Sequence, residues 1–293
     1  MYMKTILMKL LGRYLNLLAI IAPVQAGRFG LALFCRPFRG KITARQRQFL
    51  QSGNQFTFPH EKETIAGYSW GSGVKKILLL HGWQSHSYRW KIYVEQLVEQ
   101  GYTVFAFDAP GHGLSSGKFL SVPLYSEVIE KMIVRIGKPD AIVAHSIGGF
   151  AALYTLHRNP SLSSDQLIVM AAPGEATEFF EFYKTSLNLS QRSLDLTIKR
   201  FTERFNNSPT YFSSARFVST LTIPGLIIHD EGDDETSVHH AKRVHQNWRN
   251  SKLLITKGLG HNLKSVEVVK EVVQFIRTTP ANFVTATSTL GNF

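Results

Sequence analysis

Eleven residues constrain this chain's fold more than any others: Ala141-Ile142-Val143-Ala144-His145-Ser146-Ile147-Gly148-Gly149-Phe150-Ala151. An apolar run leads into a Ser flanked by small residues, and a helix-compatible run, Phe150 to Leu156, follows. That order predicts a strand, a very tight turn and a helix, with Ser146 at the apex. Such a turn strains the backbone and exposes the Ser hydroxyl. The amide after it, Ile147, then opens a helix and faces developing negative charge. Gly148 and Gly149 fit because a Cβ there would collide with the incoming strand. The pattern is G-x-S-x-G with Ala144 in the first position, and it acquires meaning from partners elsewhere in the chain.

Those partners lie at the ends of other apolar runs. Gln55–Pro59 and Glu63–Trp70 read as a strand hairpin, followed by Gly71-Ser72-Gly73. Val74–Leu80 reads as a buried strand ending in His81-Gly82-Trp83, and Tyr102–Phe107 as another, running into the turn-rich Asp108-Ala109-Pro110-Gly111-His112-Gly113. Trp90–Glu99 and Val122–Ile136 have helical periodicity. Gln166–Ala172, Gly225–His229 and Leu253–Thr256 read as further strands, with helices at Val238–Asn247 and Ser265–Arg277. Repeated strand–helix alternation implies a largely parallel sheet covered on both faces, whose chemistry gathers at the carboxyl ends of the strands. Ser146, His81-Gly82-Trp83, the Asp230–Asp234 cluster and His261 all fall there.

The alternation pauses over residues 174–222, which are helical in pattern and rich in Phe and Tyr. An insertion of that size between strands reads as a helical cap, with a structural layer whose aromatics form its own core as the alternative. The expected organisation is an N-terminal helical arm over 1–54, an α/β body over 55–277 containing the insertion, and a flexible tail over 278–293.

Charge is unevenly distributed. Residues 1–50 hold nine Lys and Arg and no Asp or Glu, so the net +12 of the chain leaves +3 for everything after them. In the same arm Ile6, Leu7, Leu10, Leu11, Tyr14, Leu15, Leu17, Leu18 and Ile21 recur at three- and four-residue spacing, with Lys9, Arg13 and Asn16 on the other face. This is an amphipathic helix. It predicts either docking on an anionic membrane surface or packing on the protein's own domain. A secretory signal ending near Val24-Gln25-Ala26 is the alternative. The body is accordingly expected in the cytoplasm, peripheral to the inner face of the membrane, or exported if the segment is a signal. Arg13 and Asn16 interrupt the run, so no stretch of about 20 apolar residues exists to span a bilayer. The basic residues alternate with Leu and Ile rather than with stacking aromatics, so nucleic acid is not an expected partner. The single Cys35 forms no internal disulfide, and no Cys/His spacing or Gly-rich phosphate cradle predicts a metal or cofactor.

From about Phe56 to Arg277 the chain resembles serine hydrolases of the α/β-hydrolase superfamily, in particular the bacterial esterase and monoglyceride-lipase-like branch. Leu78-Leu79-Leu80-His81-Gly82-Trp83 resembles the His-Gly oxyanion loop. Phe107-Asp108-Ala109-Pro110-Gly111-His112-Gly113-Leu114-Ser115 resembles the Asp-x-Pro-Gly-His-Gly-x-Ser turn, Ala144–Gly148 the nucleophile elbow, and Gly258-Leu259-Gly260-His261 the catalytic His loop. The resemblance implies the α/β-hydrolase fold, with a mostly parallel central sheet flanked by helices.

A Ser hydroxyl is a feeble nucleophile at neutral pH and needs a base, with an orienter behind that base. The resemblance assigns Ser146 as nucleophile, His261 as base and Asp233 as acid. Thr236-Ser237 stands where the family has Val-Pro, which leaves Asp234 as the other candidate acid. The backbone amides of Trp83 and Ile147 would form the oxyanion hole, supported by His81, Gly82 and Gly148, while Asp108, His112 and His145 brace their loops. The expected activity is cofactor-free hydrolysis of a small carboxylic ester with an apolar acyl group, such as a monoacylglycerol. An acyltransferase or thioesterase on the same triad, or a non-catalytic binding protein on the same fold, are the alternatives.

Overall fold

The computed structural model describes residues 2–277; the tail expected from Thr278 lies outside the described residues. Contacts divide the chain into two units, Met1–Arg36 with Glu175–Ser213, and Pro37–Gly174 with Ser214–Phe293. The division differs from the boundaries expected from sequence. Residues 1–36 group with most of the insertion, whereas residues 37–54 and 214–222 belong to the sheet unit.

The sheet unit contains eight strands among the described residues: β1 (Asn54–His60), β2 (Glu63–Trp70), β3 (Lys76–Leu80), β4 (Thr103–Phe107), β5 (Ala141–His145), β6 (Gln166–Met170), β7 (Gly225–Asp230) and β8 (Ser251–Thr256). Their order is β1-β2-β4-β3-β5-β6-β7-β8. The β1–β2 hairpin is antiparallel and joins the rest through an antiparallel β2–β4 pair, and every pair from β4 to β8 is parallel. β5, β6 and β7 are buried at every residue, as continuous Ile, Leu, Val and Ala runs require of strands covered on both faces. The chain steps from β3 to β4 on one side and returns to β5 on the other. The crevice at this reversal opens at the carboxyl ends of β3 and β5, which carry His81-Gly82-Trp83 and Ser146.

Two helices numbered in chain order precede the sheet unit and a third begins it: α1 (Tyr2–Ile21), α2 (Pro23–Phe34) and α3 (Ala44–Gln51). The others are α4 (Lys91–Glu99), α5 (Val122–Ile136), α6 (Ile147–Arg158), α7 (Ala176–Leu187), α8 (Gln191–Phe205), α9 (Ser214–Val218), α10 (Val238–Asn247) and α11 (Val266–Arg277). On one face of the sheet, Ile77, Leu79, Val104, Val143 and Ile168 pack in a common core with Trp90, Leu97 of α4, and Val272 and Ile276 of α11. At about 25 cal/mol per Å² of apolar area buried, such side chains supply about 1.5–3 kcal/mol each.

The second unit is helical. Leu15 and Ala19 of α1, Ala26 of α2, and Tyr183 and Leu187 of α7 form its core with Leu189. Other aromatics of the insertion, Phe180, Phe201 and Phe212, are also buried. Phe180 stacks on Phe34 at 4.3 Å and meets Phe201 edge-on, and Phe201 meets Phe212. The insertion leaves and rejoins the sheet unit at one point, where the Ser214 amide donates to the Gly174 carbonyl at 2.8 Å and the Ser214 hydroxyl to that of Pro173.

Candidate active site

Ser146 caps α6 with φ 53° and ψ −128°, a left-handed conformation that costs a non-glycine residue about 1–3 kcal/mol. The neighbouring sequence makes this conformation accessible. A Cβ on Gly148 would lie 2.5 Å from the His81 carbonyl oxygen and 2.7 Å from that of Leu80. One on Gly82 would lie 2.9 Å from the Ser146 Cβ. Only glycine lets the two loops approach this closely. Ala144 is fully buried in β5 and takes the small-residue position. The Ser146 amide is held by the Met170 carbonyl of β6 at 2.9 Å.

Residues from three strand ends meet here. The His261 Nε2 lies 3.0 Å from the Ser146 Oγ, and its Nδ1 lies 2.9 Å from Asp233 Oδ2 and 3.2 Å from Oδ1. The three side chains predicted from sequence therefore form one hydrogen-bonded line. Asp234 is solvent-exposed, whereas the Asp233 side chain is fully buried. Burial works against the Asp233 charge. Hydrogen bonds from His229 and His261 and from the Thr236 amide outweigh it, holding the carboxyl well below the usual carboxylate range.

Thr236 holds the candidate acid, a contact that the sequence alone does not assign. Its amide donates to Asp233 Oδ1 at 3.0 Å and its hydroxyl to Oδ2 at 2.9 Å, beside a further amide from Glu235. A Val at this position would supply no hydroxyl, so the departure from the family pattern adds a donor to the acid. The signal in sequence was that departure itself. His229 was also passed over; its Nε2 lies 2.8 Å from the Thr236 carbonyl and 3.3 Å from Asp233 Oδ2.

The surrounding histidines hold loops as neutral rings. His81 accepts from the Ala109 amide at Nε2 and donates from Nδ1 to the Gly82 carbonyl at 2.7 Å. Complete burial pushes its pKa down to about 3, so both nitrogens serve as a neutral donor–acceptor pair. His112, likewise lowered to about 3 mainly by burial, accepts from the Gln84 amide and packs edge-on to Trp83. His145 Nε2 donates to the carbonyl of His261 itself at 2.8 Å, tying the His261 loop to the strand that carries Ser146. Asp230 fixes the same loop from below, accepting from the Thr256 hydroxyl at 2.8 Å and the Leu259 amide at 2.9 Å.

Asp108 organises the opposite side. Its fully buried carboxylate accepts from the Ser87 amide and hydroxyl, the Leu114 amide and the Tyr68 hydroxyl, all within 2.9 Å. Replacing Asp108 by Ala orphans four donors, three of them buried. We expect a loss of about 3–5 kcal/mol in urea-unfolding free energy, with a lower denaturation midpoint. Among the described residues, one group has the composition to hold a metal ion: His60, Glu61 and Glu127, none of them part of the Ser146 site.

Comparison with known proteins agrees with this architecture. Residues 71–216, just under half of the chain, match the family described as serine aminopeptidase, S33. A non-heme haloperoxidase from Rhodococcus erythropolis is 25% identical over 261 residues, covering 71% of this chain and 94% of that protein. Human monoglyceride lipase is 28% identical over 139 residues, covering 43% of this chain and 46% of that one. Several curated relatives are matched over less than half of their own length. The crystal structure of a bromoperoxidase from Bacillus anthracis superposes with a TM-score of 0.63 at 18% identity, over 77% of this chain and all of that one. The parallel sheet, the Ser at its strained strand–helix turn and these likenesses agree: the chain has the α/β-hydrolase fold and is similar to hydrolases that share it.

Proposed function

We propose that the protein is a serine hydrolase that cleaves carboxylic esters with apolar acyl groups through an acyl-enzyme on Ser146. The observation that carries this reading is the continuous line from the Ser146 Oγ through both nitrogens of His261 to Asp233, at 3.0 and 2.9 Å. The Ser146 Oγ attacks the acyl carbonyl while His261 Nε2 takes its proton. The tetrahedral oxyanion is stabilised by the amides of Trp83 and Ile147, the latter at the first position of α6, where N–H groups have no intrahelical partner. The intermediate collapses as His261 returns the proton to the leaving alkoxide. Water, activated by the same His, then releases the acid. His81, Gly82 and Gly148 shape the two loops, and no cofactor enters the scheme.

The small-molecule substrate is proposed as a lipid-like ester such as a monoacylglycerol. The match to monoglyceride lipase supports this. An anionic membrane surface is proposed as the site of action, reached through the N-terminal helices; no described helix is long and apolar enough to cross a membrane.

A nitrophenyl-ester series of rising chain length tests the substrate class, run beside an aminoacyl nitroanilide. We expect turnover of esters with an optimum above acetate and turnover of the anilide lower by at least about 10²-fold. Preferential anilide cleavage would replace the esterase reading with a peptidase one. Dominant transfer to an added alcohol in water would replace it with an acyltransferase one.

A further inference from the structure

The packing of α1 divides its surface into two faces. One is built into the helical unit. Leu15 and Ala19 are fully buried, and a Cβ on Gly12 would lie 1.8 Å from the Leu187 carbonyl oxygen. Asn16 accepts from the Ser190 amide and the Ser193 hydroxyl and donates to the Asn188 carbonyl, while Arg192 donates to the carbonyl of Ala19. Asn16, which interrupts the apolar run in sequence, and Gly12 thus bind α1 to α7 and α8.

The other face is open. Leu7, Leu10, Tyr14, Leu17 and Ile21 recur at three- and four-residue intervals, within about an 80° arc of the helix. Each is more than half exposed, from 53% for Leu10 to 69% for Ile21, and Val24 continues the exposed apolar surface into α2. Lys9 and Arg13 are exposed along one border of this stripe, Arg28 is exposed farther along, and α1 and α2 contain no Asp or Glu.

We propose that this outer face of α1 docks on an anionic lipid surface, with the five apolar side chains in the acyl boundary and Lys9 and Arg13 among the headgroups. The chemistry selects the occupant. A second copy of the chain would present the same cations against this stripe, with no acidic residue on α1 to pair them. An anionic bilayer supplies the missing charge, and Tyr14 suits a boundary that is apolar on one side and wet on the other. Because the inner face is part of the unit's core, the segment that docks stays with the folded protein. This proposal deepens the membrane-surface reading above and is independent of the hydrolytic one.

Flotation of the full-length protein with phosphatidylcholine vesicles, with and without about a quarter phosphatidylglycerol, tests it. Binding is expected on the anionic vesicles. The double variant Leu10→Glu/Leu17→Glu should reduce the partition coefficient at least about tenfold, and Lys9→Gln/Arg13→Gln about ten- to thirtyfold with a shallower salt dependence. Val134→Glu, at an exposed apolar residue of α5, should change nothing, and Ser146→Ala should bind as the wild type does, which separates docking from catalysis. Vesicle binding that is absent, or unchanged in Leu10→Glu/Leu17→Glu, would overturn the proposal. A wild-type dimer that this variant dissolves in sedimentation, without any vesicle binding, would assign the face to a second copy instead.

Discussion

Replacing Ser146 with Ala is expected to lower kcat for a preferred ester by about 10⁴- to 10⁶-fold while leaving the protein folded. On the proposed mechanism the hydroxyl is the attacking group, and His261 Nε2 lies 3.0 Å from it to accept its proton. Alanine keeps the elbow's backbone but removes the nucleophile, and the positive φ of 53° is a property of the strand–helix turn. Thermal unfolding should therefore move little, because the Ser146 amide bond to Met170 persists. Residual turnover would report what the oxyanion amides achieve alone. A variant within about tenfold of wild type would remove Ser146 from the mechanism.

The second large effect separates two adjacent carboxylates. Asp233→Asn should reduce kcat by about 10⁴-fold, since an amide in that position stabilises the wrong tautomer of the base and cannot support an imidazolium. Asp234→Asn should leave kcat within about twofold, because Asp234 points into solvent at the same turn. The pH dependence of stability follows from the Asp233 environment. Its folded carboxyl titrates well below its unfolded value of about 4. Its contribution is therefore complete above about pH 4 and is lost as pH falls below that through the folded pKa. Asp233→Asn should accordingly flatten the acid limb of the stability curve, measured by urea unfolding from pH 7 down to 3. A similar loss of activity in both single variants would mean that the turn, not the identity of the acid, matters.

Local signals carried much of this fold. α5 was legible at both ends, since Ser121 caps it and a Gly at φ 78° stops it. β5 and the elbow were legible because the apolar run, the small residues and the helix all agree over a few positions. The reading failed where tertiary contacts assign meaning to a residue. The apolar spacing over 6–21 predicted one helix, and Pro23 starts a second for which no periodicity was read. Asn16 read as an interruption of an apolar run, because its partners at 188–193 are remote in sequence. The insertion's strand-free pattern was plain, yet its grouping with residues 1–36 depends on contacts such as Phe34 with Phe180.

The candidate site divides the same way. Ser146 and His261 stand out from their turns, and Asp233 stood against Asp234 only through the family pattern that the chain resembles. The His145 bond to the His261 carbonyl could not be read, because it joins different strand ends, whereas the Thr236 hydroxyl on the acid is a local contact within the loop after β7, signalled only by the departure from Val-Pro. The His145 ring sits beside Ser146 in sequence but holds a residue 116 positions away.

The central claim, an activated Ser146, is tested most directly by a fluorophosphonate probe followed by peptide mass spectrometry of the labelled protein. One adduct on the peptide containing Ser146 is predicted, absent in Ser146→Ala and strongly slowed in His261→Ala. Well-folded wild-type protein that takes no label at Ser146, or that labels equally fast without His261, would contradict it.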